Sequence, residues 1–162
     1  MSSAAQPRIA VRLNPGGADD LDGVLAVMTG AFDPGFGESW SRSQCAGILP
    51  LNGVHLTVAR DSADRVRGFA LQRTVADESE LLLIAVDRAS QRCGIGGMLI
   101  DHFVASSRAV GAHRLHLEVR DGNPATNIYQ AFGFRPEGRR RNYYRGSDGQ
   151  QYDAVTMVLD LN

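Results

Sequence analysis

Gln91-Arg92-Cys93-Gly94-Ile95-Gly96-Gly97 sets three glycines within four residues, directly ahead of an apolar helical pattern. Glycine lacks the Cβ that keeps a ligand off the backbone, and a helix N-terminus carries unsatisfied N–H groups with a partial positive charge. Together they form a cradle for an anion, a phosphate above all. Two other residues bring acid–base chemistry. Glu118 lies in the alternating run Arg114–Val119, on the face it shares with His116 and Arg120, and Tyr129 follows eleven residues later. A carboxylate takes a proton and a phenol donates one. On pattern alone each feature also has an ordinary explanation: a tight turn packing a helix on a sheet, a Glu118–Arg120 salt bridge, and a core tyrosine near Phe132.

Residue types exclude one phosphate loop and argue against another. All 17 basic residues are arginine, so the lysine that a Walker loop requires is missing. A dinucleotide fingerprint, G-x-G-x-x-G, fits Gly94 and Gly96 but meets Leu99 at its third position. It also belongs to the first βα turn of a domain, whereas this loop follows about four strands.

The elements that must hold these residues are legible from periodicity. Strands are expected at Ile9–Leu13, Val54–Arg60, Arg67–Val75 and Glu80–Val86, the last an apolar run buried on both faces. Helices are expected at Ala18–Phe32, from Ser41 toward Leu49 with a Ser41/Gln44 capping box, and from Gly97 to Val110 with Gly111 as its stop. A central strand at Arg114–Val119 precedes a helix with Asn123 at its N-cap and Pro124 in its first turn, ending near Gly133; Tyr152–Leu161 closes the chain as a strand. This is an α/β chain with a mixed sheet, read as one domain over residues 1–162.

Composition bounds the rest. Net charge is −1, 43% of residues are apolar and 22% charged, values that argue for neither a nucleic-acid partner nor a membrane surface. No signal-peptide core or membrane-length apolar run occurs, and Cys45 and Cys93 read as free thiols of a reducing compartment, so the expected location is the cytoplasm. His55, His102, His113 and His116 have no metal-ligand spacing, and no metal is expected. The sequence sets no oligomeric state.

The strand–loop–helix "LLLIAVDRASQRCGIGGMLIDHF" resembles the Q/R-x-x-G-x-G/A element of the GCN5-related N-acetyltransferases (GNAT). The segments "LHLEVRDGNPATNIYQAFGF" and "RRRNYYRGSDGQQYDAVTM" resemble its RimI-type branch, which acetylates the N-terminal alanine of a small-subunit ribosomal protein. The likeness runs from Leu81 to Leu159, with Trp40-Ser41 an outlying match. It implies a mostly antiparallel sheet, splayed at the cofactor site and flanked by helices, with acetyl-coenzyme A as cosubstrate and direct transfer in a ternary complex. Ile84, Ala85 and Val86 would hold the pantetheine arm, and one of their N–H groups would steady the developing oxyanion. Arg92, Cys93, Gly94, Ile95, Gly96 and Gly97 would bind the pyrophosphate, and Asn123 would touch the cofactor farther along. Glu118 would be the general base, acting through a water, and Tyr129 the general acid. Trp40, Tyr143 and Tyr144 would wall the peptide site, a role for Gly138–Gly146 that needs no RNA; its other reading is a solvated strand and hairpin.

An α-amine suits a carboxylate base. With a pKa of ~7.8 about a quarter is neutral near pH 7.4, against roughly one in a thousand for a lysine amine. Leu83, Gly97, Pro124 and a longer "GSDGQQYDA" hairpin depart from the branch pattern and bear on peptide specificity. Two alternatives stand beside this function: the same chemistry on a small amine, and a non-catalytic acyl-coenzyme A-binding module. A polyamine site should be rich in carboxylates, and only Asp77, Glu78 and Glu80 cluster. The pairing of Glu118 with Tyr129 argues against the module.

Overall fold

The computed structural model describes residues 9–162. Its strands are β1 (Arg12–Gly16), β2 (Val54–Arg60), β3 (Val66–Val75), β4 (Glu78–Val86), β5 (Arg114–Arg120), β6 (Arg135–Arg145) and β7 (Gln151–Asp160). The helices are α1 (Leu21–Ala31), α2 (Arg42–Ile48), α3 (Ile95–Ala109) and α4 (Ala125–Ala131), with short 3-10 turns at Ala18–Asp20, Pro34–Phe36 and Arg88–Ser90. One sheet takes all seven strands in the order β1-β2-β3-β4-β5-β7-β6, antiparallel except where β4 meets β5.

Each face of the sheet buries its own apolar set. On one side α3 contributes Ile95, Leu99, Ile100 and Phe103 against Leu115, Leu117, Val119 and Met157, with Tyr129 and Phe134 in the same cluster. On the other, α1 sets Leu21, Val24, Val27 and Met28 against Leu56, Val58, Phe69, Leu83 and Ala85, with Cys45 of α2.

The parallel seam is short, and that shapes the site. Glu78–Leu81 pairs with Arg114–Leu117, after which β4 runs on to Val86 and β5 to Arg120 without pairing to each other. A bulge opens the same point: Leu71 faces Leu83 and Gln72 faces Leu81, so Leu82 is the extra residue. The bulge also switches faces. Leu81 packs on the α3 side while Leu83 and Ala85 pack on the α1 side, although plain alternation would put all three together.

Other expectations shift by a few residues. β1 starts at Arg12 rather than Ile9 and includes Pro15; it is an edge strand bonded only to β2, where proline's missing N–H costs little. The first helix is split into a 3-10 turn and α1, and α3 begins at Ile95 because Gly94 closes the preceding turn at φ 83°. The capping box of α2 is as expected, with Gln44 N–H donating to Ser41 Oγ at 3.2 Å and Ser41 N–H to Gln44 Oε1 at 2.8 Å. Asn123 Oδ1 accepts from Ala125 N–H at 2.9 Å, which starts α4. Among the described residues no helix is long and apolar enough to cross a membrane.

Candidate active site

The divergence of β4 and β5 opens a cavity of about 820 Å³, running from the glycine loop to the loop after α1 and the end of β6. Along Leu82–Val86, alternate backbone groups bond to β3 while the others point into the gap that β5 has left, donors and acceptors open to an extended ligand except for Val86 O, which Gln91 takes.

At one end the glycine loop leads into the fifteen-residue helix α3. Arg92 and Gly94 are both left-handed, at φ 65° and 83°, which curls the backbone ahead of the helix N-terminus. Gln91 Nε2 donates to Val86 O at 3.2 Å and ties the loop to the end of β4. Nothing lies within 4 Å of the position a Cβ would take on Gly94, and the buried Ser90 hydroxyl has no hydrogen-bond partner among the described residues. Arg92, Gly94, Ile95, Gly96 and Gly97 line the cavity, as do Ile84, Ala85, Val86 and Asn123. Cys93 does not; it is half-buried, packs against the α3-side core and directs its thiol to Gln91 O at 3.7 Å.

Glu118 and Tyr129 both line the same cavity. The Glu118 side chain is 7% exposed; one oxygen accepts from Thr156 Oγ1 at 2.8 Å and the other lies 3.0 Å from Arg140 Nε. Its ordinary partner from the strand pattern, Arg120, turns elsewhere. Arg120 Nε donates to Glu38 Oε1 at 3.1 Å while its guanidinium stacks on Phe36 at 3.7 Å. Tyr129 is buried with its ring edge-on to Phe134, and burial, followed by the Glu38 charge, pushes its phenol well above the usual tyrosine range.

At the other end Trp40, Tyr143 and Tyr144 line the cavity. A bulge between Arg140 and Tyr144, with Asn142 at φ 53° and its N–H on Asp153 Oδ1 at 3.0 Å, turns this part of β6 toward the site. Tyr144 donates to the Glu118 carbonyl at 3.2 Å, and burial pushes its phenol up. The arginines of this strand are largely neutralised. Arg135 pairs with Asp160, Arg139 with Asp121 and Asp153, and Arg140 with Glu118.

Glu38, Arg140 and Thr156 meet the predicted residues without having been singled out in the sequence. Glu38 sits in the featureless loop "PGFGE", and Thr156 reaches Glu118 only through the β5–β7 register. No local pattern marks either.

Residues 52–136 match the acetyltransferase (GNAT) domain. The chain belongs to the GNAT N-acetyltransferases. It is 38% identical over 124 residues to the [ribosomal protein bS18]-alanine N-acetyltransferase of Salmonella typhimurium, covering 76% of this chain and 82% of that one. The ribosomal-protein-S18-alanine N-acetyltransferase of Escherichia coli superposes with a TM-score of 0.82 at 29% identity, over 94% of this chain and 95% of that one. Arabidopsis thaliana NAA60 in complex with acetyl-CoA shares the fold, with a TM-score of 0.80 at 18% identity over 94% and 99% of the two chains. This GNAT chain is therefore an enzyme, and acetyl-coenzyme A is its acyl donor. The open β4 edge, the clear space at Gly94 and the partnerless Ser90 suit a long ligand with a strand-like arm and an anionic end.

Proposed function

We propose that this enzyme acetylates the N-terminal α-amine of a protein in the cytoplasm, specifically the alanine that begins a small-subunit ribosomal protein, with one domain spanning the chain. The observation that carries this reading is one cavity lined together by the glycine loop, by Glu118 and Tyr129, and by the aromatic side chains of Trp40, Tyr143 and Tyr144. The relatives named for bS18 alanine acetylation supply the substrate class.

In this reading the loop from Arg92 to Gly97 holds the pyrophosphate and the free edge of Ile84–Val86 aligns the pantetheine arm. Cys93 contributes through its backbone. As the amine nitrogen bonds to the thioester carbonyl, a main-chain N–H of the same segment stabilises the charge growing on oxygen. The nitrogen sheds a proton to Glu118 through a water; Arg140 and Thr156 hold that carboxylate in place and leave it lone pairs to accept with. The carbon–sulfur bond breaks, and Tyr129 donates to the departing thiolate. Trp40, Tyr143 and Tyr144 hold the peptide.

The test is acetylation of an alanine-starting peptide by Glu118→Gln and Tyr129→Phe. Each is expected to lower kcat by about 10²–10⁴-fold. Unchanged turnover in both would overturn the mechanism. An unchanged acetylated N-terminus of the ribosomal protein in a deletion strain, read by mass spectrometry, would overturn the substrate.

A further inference from the structure

Glu38 lies on the loop between α1 and α2, far in sequence from the acid–base pair, yet its carboxylate is buried against the active site with its side chain 12% exposed. Both oxygens are used. One accepts from Arg120 Nε at 3.1 Å, the other from Asn123 Nδ2 at 2.9 Å. Asn123 in turn directs its Oδ1 to Ala125 N–H, and Ala125 stands one helical turn before Tyr129 on the same face of α4. A carboxylate is acceptor-only, so it dictates which end of the Asn123 amide faces the loop and which faces the helix. The loop is itself anchored: Ser147 N–H donates to Pro34 O at 3.0 Å, and the Arg120 guanidinium carbon sits over the Phe36 ring, 3.7 Å from its centroid.

We propose that Glu38 is a positioning residue for the transfer step: by clamping Asn123 and Arg120 it fixes the start of α4 and thereby aims the Tyr129 hydroxyl. The proposal rests on Tyr129 as general acid, and it adds a residue that acts through it. Glu38 lines the same cavity, but in this scheme its two oxygens are taken by Arg120 and Asn123 and it holds neither substrate. Its contribution is therefore to kcat, and it vanishes once the hydroxyl it aims is gone. Glu38→Gln tests this with little change in shape. The new amide keeps one acceptor but turns a donor toward either Arg120 or Asn123, so one of the two clamps is lost.

The experiment is a double-mutant cycle over Glu38→Gln and Tyr129→Phe, following kcat, both KM values and the thermal midpoint. Glu38→Gln alone is expected to lower kcat about tenfold or more, with KM for the peptide within about twofold. In the Tyr129→Phe background the same change is expected to alter kcat by less than about twofold. An equal loss in both backgrounds, or an effect confined to KM, overturns the proposal. Unchanged kcat in Tyr129→Phe alone overturns the general-acid assignment instead, which separates the two failures. If Glu38→Gln does not fold, Glu38→Gln with Arg120→Met removes the unpaired buried cation, and the same cycle applies with the same expected outcomes.

Discussion

Tyr129 is buried beside the Glu38 carboxylate, and both conditions disfavour a phenolate. Its folded pKa is raised, so the acid form persists to higher pH than a free tyrosine would allow. The kcat profile is accordingly expected to show no fall from Tyr129 ionisation below about pH 10; a limb between about pH 8 and 9.5 that disappears in Tyr129→Phe would contradict the assignment. Asp61 shows the opposite shift. It accepts from Arg65 N–H at 3.0 Å, Arg67 Nε at 2.7 Å and Ala63 N–H at 2.9 Å, which hold its carboxyl down at about 2. A depressed carboxylate adds stability above its unfolded pKa of about 4 and loses it as pH falls toward 2. The thermal midpoint should therefore drop across that window, and in Asp61→Asn the drop should be smaller, from a lower starting value. Neither shift was legible in the sequence. Tyr129 could be named, but its burial depends on Phe134 and the sheet, and Asp61 reads there only as part of a turn.

Among the elements, the loop after α1 and the β6–β7 hairpin are pressed backbone to backbone. A Cβ on Gly146 would stand 1.9 Å from Gly35 O, and one on Gly37, at φ 69°, would stand 2.0 Å from Arg145 O. Gly146→Ala should destabilise the fold by about 1–3 kcal/mol and weaken catalysis too, since the displaced loop carries Glu38; calorimetry and kcat check the two together. Gly94 is a contrasting case. Its Cβ position is open but its φ is 83°, so Gly94→Ala should cost only about 1–2 kcal/mol while raising KM for acetyl-coenzyme A. A variant with full stability and unchanged KM would argue that the loop binds nothing. Strand and helix identities followed from periodicity and caps, except for β6, whose exposed Arg135–Arg145 run has no apolar alternation and reads only as a solvated strand and hairpin over Gly138–Gly146. The bulge at Leu82 did not, because a run buried on both faces has no alternation to interrupt.

Across the whole molecule, the site exists because β4 and β5 part after four paired residues, Glu78–Leu81. Binding along that gap should stabilise the folded state. At 100 times Kd, coenzyme A should add about 2.7 kcal/mol, read as a rise in thermal midpoint, and a ligand-independent midpoint would count against the cavity as its site. The sequence by itself determined the order of strands and helices apart from β6, and it offered an anion loop, because periodicity and glycine conformation are local properties; Glu118 and Tyr129 stand out there only as a carboxylate and a phenol, and their proposed roles as base and acid come with the resemblance. Resemblance over Leu81–Leu159 named the cofactor on the same footing. Only the tertiary structure decided that Arg120 answers to Glu38 rather than Glu118, that Arg140 and Thr156 hold Glu118, and that a loop 85 residues upstream of Asn123 reaches the start of the Tyr129 helix. Those contacts join residues 22 to 85 positions apart, and which side chains meet at such separations is set by strand register, a bulge and a loop crossing.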